Sequence, residues 1–200
     1  QAGSNALYRN LGAGKFENIT EDAGVALADR IGVTSSFCDV DNDGDPDLFV
    51  TTVRGCNVLF ENTGSGRFRD VTAGSGLEYS GHSSSAVFFD YDRDGNVDMF
   101  LCNVGTYTTE EHAALRIDRV SKLPADTDQK YYVGMKDAFA GHLKYERSEQ
   151  SILYRNLGGM KFKDVSEETG LIDLSWSGEA SPIDANGDRW LDLYVLSMQG

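Results

Sequence analysis

Cysteine is nearly absent from this chain. Three in 200 residues (Cys38, Cys56 and Cys102) are too few to staple a disulfide-built fold, and their spacing is not that of a zinc site. They read as small buried residues. Long apolar runs are missing as well: no stretch approaches the roughly 18 consecutive apolar residues of a membrane span, which argues against insertion into a membrane. The first ten residues lack a basic region followed by an apolar run, so no signal peptide is visible. A processed or excised chain would look the same, and the compartment stays open on that ground. Basic residues are outnumbered, 18 against 32 acids, and form no stripe to neutralise phosphates. Nucleic acid is therefore not an expected partner.

The net charge of −14 is local. Twelve of the 32 acids fall in three short segments: Asp39, Asp41, Asp43, Asp45 and Asp47; Asp90, Asp92, Asp94 and Asp98; Asp184, Asp188 and Asp192. Without them the balance is 20 acids against 18 bases, nearly neutral. That concentration points to a cation, not to a disordered acidic tail. With 40% apolar residues, the rest of the chain can supply a core.

The chain repeats itself. Asn5-Ala-Leu-Tyr-Arg-Asn-Leu-Gly-Ala-Gly-Lys-Phe-Glu-Asn-Ile-Thr20 returns without a gap at Asn57 to Thr72 and again at Ser151 to Ser166. Each copy has an apolar-aromatic segment, an Asn-x-Gly, and a second segment around a Phe, the pattern of a β-hairpin. A second motif interleaves with it: Phe37-Cys-Asp-Val-Asp-Asn-Asp-Gly-Asp-Pro-Asp-Leu-Phe-Val50, then Phe88 to Leu101, and a looser copy at Pro182 to Val195. Leu7 to Leu59 is 52 residues and Asp39 to Asp90 is 51; Leu59 to Leu153 and Asp90 to Asp184 are both 94. One unit of about 50 residues thus recurs, and its second copy carries an insertion at 104–150.

A four-stranded unit of that length is the size of a propeller blade. Strand 1 is expected over about 33–38, strand 2 over about 47–53, strand 3 over about 57–62 and strand 4 over about 67–72. Runs such as Leu48-Phe49-Val50 are apolar on both faces, as in a sheet stacked between sheets. Small residues (Ser35 and Ser36, Ser85 and Ala86, Ala180 and Ser181) stand where strand 1 would crowd a central axis. The expected fold is all-β: a partial propeller over 1–200, with two whole blades of four antiparallel strands, a half blade at each end, and a partly helical insertion.

Between strands 1 and 2 of each unit, acidic residues at positions 1, 3, 5 and 9 with a Gly at 6 gather hard oxygens around one point. Calcium takes 6–8 such ligands, and position 7 adds a backbone carbonyl. The first loop offers Asp39, Asp41, Asp43 and Asp47 with the carbonyl of Asp45. The second offers Asp90, Asp92, Asp94 and Asp98 with the carbonyl of Asn96. The third offers Asp184, Asn186, Asp188 and Asp192 with the carbonyl of Trp190. In the third loop Arg189 replaces the Gly and Gly187 sits two positions early, so it is expected to be the weakest. An EF-hand is excluded, because its position-12 Glu is here Val50, Leu101 and Val195. Asp90-Tyr-Asp92 resembles a phosphatase nucleophile motif, but a nucleophile is needed once and this stretch has equivalents in the other units.

The two interleaved motifs together resemble the FG-GAP/VCBS repeat family, the calcium-bearing blades of integrin-alpha-type propellers; bacterial ASPIC-associated proteins and cartilage acidic proteins are similar. The resemblance spans nearly all of the chain outside the insertion. It implies Ca2+ at the positions named above, with Asn186 and Arg189 as departures. It also implies a larger ring, a place outside the cytoplasm (extracellular, cell surface or periplasmic), and mainly an adhesion or interaction role with a protein or glycan, although some members are joined to enzymes and no single activity carries over with the fold. Further blades of a parent propeller, or self-association at open edges, would complete the sheet.

The insertion reads as a helix capped at Thr108 or Thr109, followed by aromatic, loop-like segments. Strand direction puts it, with the links between blades, on the face opposite the metal loops. Tyr107, Tyr131, Tyr132, Phe139 and Trp176 gather there as candidate partner-binding residues. The alternative is an enzyme, or an enzyme's substrate-recognition domain, with its site at the insertion. His112 and His142 have no partnering group at a recognisable spacing, and His82 aligns with the apolar Ile31 and Trp176. Cys56 and Cys102 are expected at that same far end as free thiols, with Cys38 at the metal end.

Overall fold

The computed structural model describes residues 5–105 and 148–198. The helix expected from Thr108, and Tyr107, Tyr131, Tyr132, Phe139, His112 and His142, lie outside the described residues.

The chain opens with a hairpin, β1 (Tyr8–Gly12) and β2 (Lys15–Asn18). The first whole blade follows as β3 (Ile31–Cys38), β4 (Asp47–Cys56), β5 (Val58–Asn62) and β6 (Phe68–Asp70). The second is β7 (Ser80–Phe89), β8 (Asp98–Asn103), β9 (Ile152–Asn156) and β10 (Phe162–Asp164). A closing pair, β11 (Ser177–Ile183) and β12 (Asp192–Ser197), forms a separate two-stranded sheet. Every pairing is antiparallel, and the arrangement is that of a partial all-β propeller. The whole blades are joined by a ladder that the sequence does not announce: the far end of β4 pairs with the start of β7, Val53 opposite His82 and Cys56 opposite Ser80.

Strand periodicity sorts side chains into three cores between the opening hairpin, the two whole blades and the closing pair. Leu48 and Val50 of β4 point towards the opening hairpin and pack with Val25, Val58 and Phe60. Phe49, between them, points the other way and meets Leu59, Met99, Leu101 and Tyr154. In β8 the alternation repeats, with Met99 and Leu101 in that second core and Phe100 and Cys102 in a third with Leu153, Leu193 and Val195. Each fully buried Leu or Phe contributes about 1.5–3 kcal/mol, so double-sided apolar strands are what stack the blades. The small residues of strand 1 allow neighbouring inner strands to touch: the Ser36 hydroxyl donates to the Ala86 carbonyl at 2.9 Å, and that of Ser84 to the Ser177 carbonyl at 2.5 Å.

The end of each hairpin motif ties strand 4 back to strand 3. The side-chain oxygens of Asn18, Asp70 and Asp164 accept from the backbone N–H two residues on. The hydroxyls of Thr20, Thr72 and Ser166 then accept the N–H of Leu7, Leu59 and Leu153 at 2.8–2.9 Å. After the first and third ties come one-turn helices, α1 (Thr20–Ala23) and α2 (Ser166–Thr169), each ended by a left-handed glycine, Gly24 and Gly170.

All three cysteines are free thiols. Cys102 is buried in the third core, while Cys56 ends β4 on the near side of the second blade. Trp176 corrects an expectation. It is fully buried ahead of β11 and presents nothing to a partner, because so large an apolar ring gains most from being enclosed.

Candidate metal centres

The three Asp-rich segments are the hairpin connections β3–β4, β7–β8 and β11–β12, so rigid ladders hold both ends of each loop. A common hydrogen-bond frame shapes them. The position-1 carboxylate accepts two loop N–H groups: Asp39 from Asp43 and Gly44, Asp90 from Asp94 and Gly95, Asp184 from Gly187 and Arg189. The position-5 carboxylate accepts the N–H of position 7 at 2.8 Å in all three. The position-9 carboxylate reaches back to the N–H of position 2.

Backbone dihedrals agree across the loops. Position 4 is left-handed in each (Asn42 φ 61°, Arg93 φ 60°, Gly187 φ 80°), and so is position 6 (Gly44 φ 94°, Gly95 φ 88°, Arg189 φ 73°). The third loop has therefore not been reshaped around its displaced glycine. It has exchanged which of two left-handed positions is glycine.

Carboxylates converge in two of the loops. In the first, oxygens of Asp39, Asp41 and Asp43 lie within 4.8 Å of one another; in the second, those of Asp90, Asp92 and Asp98 do. Such triads of hard oxygens fit a cation like calcium or magnesium and suit a soft metal poorly. Asp47 and Asp98 are buried, and burial pushes both carboxyls up to about 6 against the hydrogen bonds they accept. Burial and then the neighbouring Asp43 charge raise Asp41 too.

The expected equivalence of positions is incomplete. Asp47 stands outside the first converging triad, although it accepts the N–H groups of Val40 at 3.1 Å and Asn62 at 2.8 Å just as Asp98, inside the second, accepts those of Tyr91 and Asn156. Asp94 stands outside the second, held below the ordinary carboxylate range by the Asn96 N–H and by Arg155. The Arg155 guanidinium sits 2.9 Å from Asp92 and 3.0 Å from Asp94. Among the described residues no third carboxylate triad forms at Asp184, Asp188 and Asp192. Trp190 lies under the Arg93 guanidinium, 4.0 Å from the ring centroid, and Asn42 donates to the Gly95 carbonyl at 3.3 Å, so each loop touches the next. Sequence reading passed over Arg155, although its place one residue before the repeated Asn is fixed by the repeat.

The rim holding these loops also holds the strand 3–4 turns: Asn62 donates to the Pro46 carbonyl and Asn156 to that of Val97. The opposite rim holds the roots of the insertion. Gly105 bridges to Ser148, and Ser151 to Asp173 in the last inter-blade link. There Glu149 accepts from the His82 N–H and the Tyr79 hydroxyl, both at 2.7 Å, with His82 Nδ1 at 2.6 Å. Burial pushes the Glu149 carboxyl up, but the hydrogen bonds from His82 and Tyr79 together hold it below its ordinary range.

Residues 1–50 and 39–101 match the family model of the FG-GAP-like repeat. No curated protein matches the chain.

Proposed function

The chain belongs to the FG-GAP-like repeat family, and from that premise we propose that it is a calcium-stabilised β-propeller module that binds a protein or glycan outside the cytoplasm. Asp39, Asp41 and Asp43 would hold one ion and Asp90, Asp92 and Asp98 another, with Asp47, Asp94 and the position-7 carbonyls of Asp45 and Asn96 completing the shells. Asp184, Asn186, Asp188, Asp192 and the Trp190 carbonyl would make a third, weaker site. A bound cation neutralises carboxylates that otherwise repel, so its binding free energy becomes folding free energy. Calcium suits these loops better than magnesium, which sheds its waters reluctantly.

The partner site is assigned to the rim opposite the metal loops. The observation that supports this is the division of connections. Short turns pinned by backbone hydrogen bonds fill the metal rim, while the roots of the insertion emerge at the other. Long loops carried on a rigid scaffold are where recognition concentrates. Tyr107, Tyr131, Tyr132 and Phe139 belong to that insertion.

One observation favours catalysis instead: Tyr79, His82 and Glu149 meet beside a cleft of ≈ 470 Å³ lined also by Asp164, Glu167 and Glu168. We read the group as a clasp on the insertion's root, because Glu149 already accepts three hydrogen bonds and no Ser, Thr, Cys or Lys side chain lines the cleft among the described residues.

Replacing residues 106–147 with a short Gly-Ser bridge separates the two rims while sparing Glu149. Calcium should still raise the melting temperature and chelation lower it, whereas signals on glycan and extracellular-protein arrays should vanish. Melting of the intact chain that ignores chelator would remove the calcium reading, and array binding that survives the replacement would move the partner site elsewhere.

A further inference from the structure

The metal loops of the two whole blades carry Asp at the same four positions, but a different side chain stands beside each loop. Strand 3 pairs with strand 2 so that Leu48 is opposite Phe60 in the first blade and Met99 opposite Tyr154 in the second. One residue further along each ladder, at the loop end, Glu61 follows Phe60 beside Asp47, and Arg155 follows Tyr154 beside Asp98. An acid thus stands next to one metal loop and a base next to the other.

The neighbour across strand 4 decides where each of these charges goes. Glu61 is opposite Arg69 and forms an ion pair with it, so the two charges satisfy each other. Arg155 is opposite Lys163, and like charges directly across a ladder repel. Lys163 turns to Glu168, and the Arg155 guanidinium turns to the loop, 2.9 Å from Asp92 and 3.0 Å from Asp94. The carboxylates are arranged accordingly. Position 5 joins the converging triad in the first loop, as Asp43, but not in the second, where Asp94 accepts from Arg155. Among the described residues no Lys or Arg pairs with an aspartate of the first loop.

We propose that Arg155 is a resident counter-ion that competes with calcium for Asp92 and Asp94, so that the first loop fills at lower calcium than the second. The inference rests on the calcium reading of both loops given above. A guanidinium and a hard cation are drawn to the same carboxylate oxygens. The second loop therefore completes its ligand set only as Arg155 gives Asp94 up, whereas the first has no such partner to displace. At separations of a few ångströms one unit charge alters the binding of a divalent ion by about tenfold, even at the dielectric constant of water. Between the two midpoints the first loop is loaded and the second is still closed on its own arginine.

Nuclear magnetic resonance separates the two loops, because the Gly44 N–H donates to Asp39 and the Gly95 N–H to Asp90. Calcium is titrated into the metal-free 200-residue chain while both amide signals are followed. The Gly95 midpoint is expected about tenfold above that of Gly44. Arg155→Gln should lower the Gly95 midpoint by about tenfold and Arg155→Glu further, with the Gly44 midpoint held within about twofold. Lys163→Glu gives Arg155 an acid across the ladder, as Arg69 has in Glu61, and should tighten the second loop with the arginine still present. Lys163 is 53% exposed, so this variant decides the matter if the Arg155 variants fail to fold without metal. Signals that ignore calcium at both glycines would remove the calcium reading, and this inference with it. Calcium-dependent shifts with equal midpoints, or a Gly95 midpoint that no folded variant moves, would overturn the inference alone.

Discussion

Two left-handed positions in every metal loop set the cost of making one. The first two loops place Gly at position 6 and tolerate Asn42 or Arg93 at position 4; the third places Gly187 at position 4 and forces Arg189 to φ 73°. Each loop therefore carries one non-glycine residue in a conformation costing about 1–2 kcal/mol. Arg189→Gly would free the third loop of that strain while leaving Gly187 in place. A gain of about 1 kcal/mol in stability is expected from urea unfolding, together with tighter calcium binding at that loop in calorimetric titration. Unchanged affinity would show that the neutral ligand Asn186, not the backbone, limits the site.

At the scale of elements, blades meet through backbone as well as side chains. The Phe162 N–H of β10 donates to the Ser75 carbonyl at 2.7 Å, and a β-carbon on the neighbouring Gly76 would collide with the Phe162 carbonyl oxygen. Gly158 has a similar backbone, φ 80°, but open space around it. Gly76→Ala should therefore cost clearly more than Gly158→Ala, which bears only the roughly 1–2 kcal/mol of a left-handed alanine; equal losses in urea midpoint would deny the close approach. Strand order and the side of each loop were legible in the sequence because a repeat fixes equivalent positions and a period of two reports burial. Other features depend on contacts between units, which no single repeat encodes. The β4–β7 ladder and the enclosure of Trp176 are of that kind, whereas the Arg155 bridge lies within the second blade and escapes the repeat because the first blade has Glu61 at that position. The one-turn helices were obscured by shortness, since four residues give no helical period.

For the whole molecule, the buried loop-end carboxylates make stability, proton binding and metal binding interdependent. Asp98 titrates near 6 in the metal-free fold against an ordinary value near 4. Between those values the folded chain holds a proton that the unfolded chain has lost. The stability this group supplies is complete below about pH 4 and is lost as pH rises through about 6. Asn at this position removes the charge and keeps, through its Oδ1, one of the two backbone N–H groups that Asp98 accepts from Tyr91 and Asn156. Metal-free Asp98→Asn should melt above the metal-free wild type at pH 7.5, with the gap closing by pH 5. Calcium should reverse the order, because the second loop has then lost a ligand. A variant that melts below the wild type in chelator at pH 7.5 would mean that the charged Asp98 stabilises the empty loop.

Each metal motif supplies the inner strands of a blade and the hairpin motif after it supplies the outer strands. A blade is thus one continuous stretch of about 50 residues, interrupted in the second by the insertion. Adding or removing one such stretch would leave the strands on either side still matched, strand to strand and loop to turn.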